Sequence, residues 1–286
     1  MKVEAVDPGG WTKIIEPQRG LFDLGWGELW RYRDLIWQFV VRDFTATYRQ
    51  TLLGPLWFVI QPLLMTAAFS YVFGRMGKFT TDHLPHFLFD MGGLAAWNYF
   101  SDCVNTTAYT FTKNAQVFGK VYFPRLVVPL AGVISSLVGL GVRVGLLVIG
   151  IIVYLWKGVA IDPNWRLVMI PVLVLNAAML GMGIGCIVSS LTTRFRDLSA
   201  GIGFALQIWM YGSLIIFPLS RIAPESRWIF LLNPMVPVVD GFRFAFLGTG
   251  TVTAAHIALS FGISALTLFI GVILFNRASH NVIDTV

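Results

Sequence analysis

Six apolar stretches of bilayer-crossing length run through this chain, at about 52–74, 87–111, 126–155, 167–191, 199–217 and 256–275. A helical crossing of the hydrocarbon core takes about 20 apolar residues, and most of the connections left over are short. A sizeable water-soluble domain therefore has no room among the 286 residues. The charge content agrees: 13% of residues are charged and 56% hydrophobic, whereas soluble domains carry about 25% charged residues. The expected fold is an all-α polytopic membrane protein with six transmembrane helices.

Residues 1–27 are polar and rich in Gly and Pro, and read as a cytoplasmic leader without the early apolar run of a signal peptide. Over 28–44, Arg31, Asp34, Gln38 and Arg42 recur at three- and four-residue spacings, opposite Leu29, Trp30, Ile36, Trp37, Val40, Val41 and Phe44. This pattern predicts an amphipathic helix lying in the membrane interface. Residues 45–286 then form the transmembrane domain. Pro62 should kink its first span. Residues 218–253 contain Pro218, Pro224, Pro234 and Pro237 and no uninterrupted apolar run. Two short half-inserted helices fit that stretch, since irregular backbone at membrane depth must be buried in protein or line a cavity. With the N-terminus inside, 13 of the 21 Lys and Arg residues fall in inner segments and seven in outer ones, with Arg143 inside a span. That asymmetry predicts both termini in the cytoplasm. It also accounts for the net charge of +6 without nucleic acid as a partner.

The chain lacks the motifs of most enzymes. No phosphate loop occurs, because Gly74-Arg75-Met76-Gly77-Lys78 and Gly119-Lys120 have the wrong spacing. Cys103 and Cys186 stand alone in apolar segments, and His83 and His86 read as polar surface rather than a metal site. Asp102 in the second expected span and Arg143 in the third are the two intramembrane charges noted. A charge at the bilayer centre costs roughly 2.5–3.5 kcal/mol, so both should face protein or a water-filled cavity. They lie at a similar depth, about 18–22 Å from the outer ends at 1.5 Å per residue. A structural ion pair and a conduit-lining role are both open. Gly141/Gly145 and Gly181/Gly185 are G-x-x-x-G pairs that let helices approach closely. The polar inner connection at 112–123, closed by Pro124, is suited to act as a lever for a partner on the cytoplasmic face, and 192–198 is a second such loop.

Tyr48-Arg49-Gln50-Thr51-Leu52-Leu53-Gly54-Pro55-Leu56-Trp57, followed by Gln61-Pro62, resembles the first-span signature of type-2 ABC exporter permeases that move polysaccharides. This is the group of O-antigen (Wzm-like), capsule (KpsM-like) and teichoic acid (TarG-like) permeases. The likeness continues at Phe123-Pro124, at Arg194-Phe195-Arg196-Asp197-Leu198, and at Asn233-Pro234-Met235 with Arg243 downstream. The resemblance implies a six-span half-transporter in the bacterial inner membrane that pairs with a second copy of itself. Its N-terminal interface helix would be followed by six spans, with re-entrant helices before the last. Two copies of a separate ABC ATPase would hold the ATP and Mg, and this chain would bind no cofactor. The cargo would be a lipid-linked polysaccharide passing between the two permease chains.

Carried onto this sequence, residues 113–122 would be the main coupling helix, with Lys113, Asn114, Gln116, Phe118 and Lys120 on it. Arg194, Arg196 and Asp197 would add a second ATPase-facing surface. Arg42 and Arg49 would meet a diphosphate headgroup, since Arg suits phosphate oxygens. Asp102 and Arg143 would lie by the conduit, and Asn233, Pro234 and Arg243 would belong to an outer gate. The rival readings are a drug or lipid permease of the same superfamily and an ion-coupled secondary transporter with Asp102 as a proton site. A membrane-embedded transferase is disfavoured by the lack of any clustered acid, base or metal site.

Overall fold

The computed structural model describes residues 26–48, 54–118, 123–195 and 197–283, whose regular elements are all helices, with no strand. The leader up to residue 25, the signature residues 49–53 with Arg49, and Lys120 and Arg196 lie outside the described residues.

The amphipathic segment is present as α1 (Trp26–Arg31) and α2 (Arg33–Tyr48). Its apolar side divides in two. Leu29, Ile36, Phe39 and Val40 are buried against Phe123, Val127 and Val128, while Trp30, Trp37, Val41 and Phe44 stay exposed. Residues 29, 36 and 40 share one helical stripe; 30, 37, 41 and 44 form the next, about 100° round the axis. One stripe docks on the body and the other looks outward.

α3 (Trp57–Phe69) contains Pro62 and continues as a π-helical turn, Ser70–Met76. α4 (His86–Ala108) breaks at Tyr109 into α5 (Thr110–Phe118), which kinks at Asn114. α6 (Val127–Trp156) and α7 (Ile170–Thr192) follow, the latter entered through a 3-10 turn at Trp165–Met169. α8 (Leu198–Gly212) ends in irregular backbone before α9 (Arg227–Leu231) and α10 (Met235–Leu247). α11 (Ala254–Ile283) closes the chain.

Among the described residues, four segments are long and apolar enough to cross a membrane: Trp57–Met76, Val127–Trp156, Trp165–Thr192 and Ala254–Ser279. A fifth is added if Pro224–Leu231 and Met235–Leu247, bent by 106°, count as one broken span. Two of the six expected spans are therefore not apolar spans in their own right. α4, at 23 residues, is long enough but carries Asp90, Asn98, Asp102 and Asn105. Its neighbours α3, α6, α7 and α10 pack around it, burying Asp90 and leaving Asn98, Asp102 and Asn105 half-buried. The fifth expected span stops at Gly212. Fifteen residues reach about 22 Å, short of the roughly 30 Å hydrocarbon core.

The core is built where small residues let backbones touch. A Cβ on Gly181 would come within 2.6 Å of Cys103 Cβ, and one on Gly185 within 2.4 Å of Thr107 Cβ, which seats α7 on α4. On the opposite side of α7, a Cβ on Gly183 would meet the Leu268 backbone nitrogen at 2.6 Å, and one on Gly271 the Gly183 carbonyl at 2.3 Å. α7 is thus clamped between α4 and α11. The pair Gly141/Gly145 has nothing within 4 Å. The two G-x-x-x-G motifs look alike in sequence but do different things.

Candidate functional site: two ends of the helical body and an ion pair between them

At one end α5 leaves the body. Thr112, Lys113 and Gln116 are exposed, Phe118 is half-buried, and Asn114 is buried. Asn114 is not a free surface residue: its Oδ1 accepts from Arg42 Nη2 at 3.1 Å, and its Nδ2 donates to the Thr110 carbonyl at 3.1 Å. Arg42 also holds Asp43 at 2.7 Å and lies 4.4 Å from the Phe39 ring centroid. Arg42 was expected at a headgroup and Asn114 on a coupling surface. The structure joins the two, tying α2 to the kink of α5. The exposed Arg194, Phe195 and Asp197 sit on the α7–α8 connection. Tyr109, which the sequence reading did not single out, links the two regions. Its hydroxyl donates to the Ser199 carbonyl on α8 at 2.9 Å, and Lys113 Nζ stands 5.5 Å from its ring centroid.

Midway along the body, Arg143 Nη1 donates to Asp102 Oδ2 at 2.8 Å. The side chains are 15% and 39% exposed respectively, so the pair is sheltered on one side and open on the other. The guanidinium also lines a cavity of about 10 Å³ with Pro62, Thr66 and Asn98, which is the size of one water position. Neutralising either partner strands the other charge, so we predict that Asp102→Leu and Arg143→Leu each lower the yield of folded protein. The exchange Asp102→Arg with Arg143→Asp should restore it in part. Size-exclusion yield from membranes measures this, and an exchange no better than the singles would contradict the pairing.

At the far end the chain turns a corner on Asn233. The Asn233 Oδ1 accepts from Trp209 Nε1 and from the Met235 backbone N–H, both at 3.0 Å. Its Nδ2 donates to the Gly212 carbonyl and Ser213 Oγ, both at 3.0 Å. A planar amide is well suited here, because it offers an acceptor to one side and donors to the other. The Pro234 carbonyl accepts from Ser260 Oγ at 2.7 Å, and that hydroxyl in turn accepts from Asn176 Nδ2 at 2.7 Å. The α9–α10 corner is thereby fixed to α8, α11 and α7.

α10 then runs back into the body, and 12 of its 13 residues are buried. Asn164 satisfies the last carbonyls of α10, its Nδ2 donating to Phe244 at 2.9 Å. Gly248, at φ +81, supplies the left-handed cap that such helix ends favour. Asp240 Oδ2 accepts from the backbone N–H groups of Thr251 at 2.9 Å and Val252 at 3.1 Å, holding the link to α11.

Arg243 is 1% exposed. Its Nη1 and Nη2 donate to the carbonyls of Leu214 at 2.8 Å and Ile215 at 2.6 Å, just beyond the end of α8, and its Nε donates to Phe89 at 3.1 Å. The guanidinium lies 3.5 Å from the Phe89 ring centroid. A helix end leaves carbonyls without partners and with partial negative charge, so a cation there is favourable. All three expected corner residues are therefore brought together as a clamp. Asp240, Trp209 and Asn164 complete it; these, and the buried Asp90 on α4, were not anticipated. Asp90 carried a signal, since it is a charge inside the apolar run that contains Asp102.

Between these ends, α8 exposes Phe204, Ile208 and Tyr211 on one stripe, while Ile202, Leu206 and Met210 are buried on the other. Among the described residues no cluster of three or more His, Cys, Asp or Glu is placed to hold a metal ion.

These features can be set beside known proteins. Residues 34–247 match the family model of ABC-2 type transporters. The chain is 31% identical over 222 residues to an O-antigen export system permease protein, RfbA, of Myxococcus xanthus, covering 77% of this chain and 82% of that one. It is 25% identical over 247 residues to the RfbA of Klebsiella pneumoniae, covering 86% and 93%. It is also 24% identical to the polysialic acid transport protein KpsM of Escherichia coli, covering 82% and 90%. The matched region runs from α2 through α5, the paired charges and the Asn233 corner to the end of α10, so the chain is a multi-pass membrane protein of the ABC-2 type transporter family.

Proposed function

We propose that this chain is the permease subunit of an ATP-driven exporter of lipid-linked polysaccharide in the bacterial inner membrane, with both termini in the cytoplasm. The observation that carries the reading is the length of the match. O-antigen and polysialic acid permeases align over 82% to 93% of their own chains.

On this reading the α5 end is cytoplasmic and the Asn233 corner faces outward. α4 and α8 complete six membrane-embedded helices, α4 shielded by its neighbours and α8 with the segment after it. α1 and α2 lie at the inner interface with Trp30 and Trp37 toward lipid. Two copies pair, each engaging one ATPase subunit that binds ATP and Mg. The exposed residues of α5 and of the α7–α8 connection form the docking surface. The Phe204–Ile208–Tyr211 stripe faces the path, and the Asp102–Arg143 pair, on the α3 side of α4, belongs to its lining. Aromatic faces pack well on the C–H faces of sugar rings.

Mechanically, docking pushes α5. The Tyr109–Ser199 bond passes that displacement to the first turn of α8, and α8 carries it as one rigid rod to the α9–α10 corner. The permease performs no covalent chemistry.

The test is co-purification from native membranes. We expect an ATPase chain to come down with the permease in stoichiometric amount, and Lys113→Glu combined with Gln116→Glu to lose it. A permease that exports with no ATPase bound would overturn the proposal and favour an ion-coupled carrier.

A further inference from the structure

Arg243 carries a permanent charge, yet its hydrogen bonds in this conformation all go to neutral carbonyl oxygens. Two carboxylates are buried near it. Asp240, one turn earlier on α10, is committed through Oδ2 to Thr251 and Val252. Asp90 is not committed in that way. It is 1% exposed, and no hydrogen bond reaches its Oδ2.

The position of Asp90 is specific. It follows Phe89, whose carbonyl already accepts from Arg243 Nε. It precedes by three residues Gly93, where a Cβ would come within 2.5 Å of Arg243 Nη2. Residues three apart share a helix face. The guanidinium therefore lies in a glycine-floored groove on α4, and a buried carboxylate without a bond stands beside that groove. A bond from a guanidinium to a carboxylate is roughly twice as strong as a neutral one. The resting arrangement leaves that bond unmade in favour of two carbonyls at the end of α8.

We propose that Arg243 is a two-position latch of the outer gate. In the resting position it grips the carbonyls of Leu214 and Ile215 and holds α10 on the end of α8. When α8 is displaced, the guanidinium turns onto the Asp90 carboxylate. The α4 and α10 backbones stay in place, and the segment after α8 is released. The charge thus has a partner in both positions, which removes the cost of stranding a buried cation during opening. The latch rests on the reading of the α9–α10 corner as an outer gate driven through α8.

The experiment uses the complete permease–ATPase complex in proteoliposomes. Ile215→Cys places a thiol beneath the clamp, where the native residue is fully buried, and Cys103 and Cys186 are themselves buried and give little background. A membrane-impermeant thiol reagent is applied from the outer side. With Mg-ATP present, labelling should rise roughly tenfold, as for a minor state that becomes the major one. Asp90→Asn should abolish the rise, and Asp90→Glu should retain it.

If Asp90→Asn labels like its parent, the latch is wrong while the gate stands. If the parent never labels during turnover, the gate reading fails and the latch with it. Asp90→Asn removes no Oδ2 bond of the resting state, so the complex should still assemble. Failure to assemble would make Asp90 a resting partner and overturn the proposal.

Discussion

Arg243→Met should yield almost no folded permease. Methionine fills a similar volume but donates nothing, leaving the carbonyls of Phe89, Leu214 and Ile215 without the donor they share. Asp240, buried one turn earlier on α10, also loses a neighbouring cation. Removing one partner of a buried charge cluster costs roughly 3–5 kcal/mol, a large share of the stability of any single chain. The expected readout is a collapse of the monodisperse peak in size-exclusion chromatography of detergent extracts, with a melting transition lowered by many degrees in whatever survives. Arg243→Lys should rescue only weakly. An ammonium is a point donor and cannot span two carbonyls on one segment and a third on α4. A monodisperse Arg243→Met protein with the parent's melting temperature would show that the clamp is incidental.

The second large effect lies in the α7–α11 crossing. Gly183→Ala and Gly271→Ala each push a methyl group into backbone: Leu268 N, Leu268 Cα and Thr267 C at 2.6–2.8 Å in the first case, the Gly183 carbonyl at 2.3 Å in the second. Backbone atoms cannot swing aside as a side chain does, so the two helices must separate along their whole contact. Overpacking of this kind costs roughly 1–3 kcal/mol and at times more. We expect the upper end of that range, read as a lowered thermal transition in detergent. The control has the opposite sign. Gly141→Ala and Gly145→Ala meet no atom within 4 Å and should stabilise α6 by about 0.5–1 kcal/mol, the ordinary gain of alanine over glycine inside a helix. Equal behaviour of the two sets would mean that the crossing is looser than these distances require.

The Arg243 clamp and the glycine crossing also mark where sequence reasoning succeeds and where it stops. Hydropathy and charge count suffice to place the chain in a membrane as a set of helices, because the cost of bare backbone and stray charge in lipid is large and local. The positions of Pro218, Pro224, Pro234 and Pro237 are enough to mark a broken stretch between residues 218 and 253. The common depth of Asp102 and Arg143 is legible for the same reason, while their pairing stays open beside a conduit role until the structure puts them at 2.8 Å.

Other features needed the fold. α4 resembles a span in length, yet its polar groups are tolerable only because α3, α6, α7 and α10 surround it. Gly183 and Gly271 are 88 residues apart in sequence, and no spacing rule links them. Arg42 and Asn114 read as separate partners for a headgroup and an ATPase until the docking of α2 brings them to 3.1 Å. Asp90 and Arg243 each look like an isolated cost until α10 folds back along α4. Sequence by itself determined the solvent, the helical content and the family signature, since each depends on interactions within one turn or one span. Only the tertiary structure decided which glycine carries a crossing and which carbonyls a buried arginine holds. Those choices depend on contacts between helices distant in the chain.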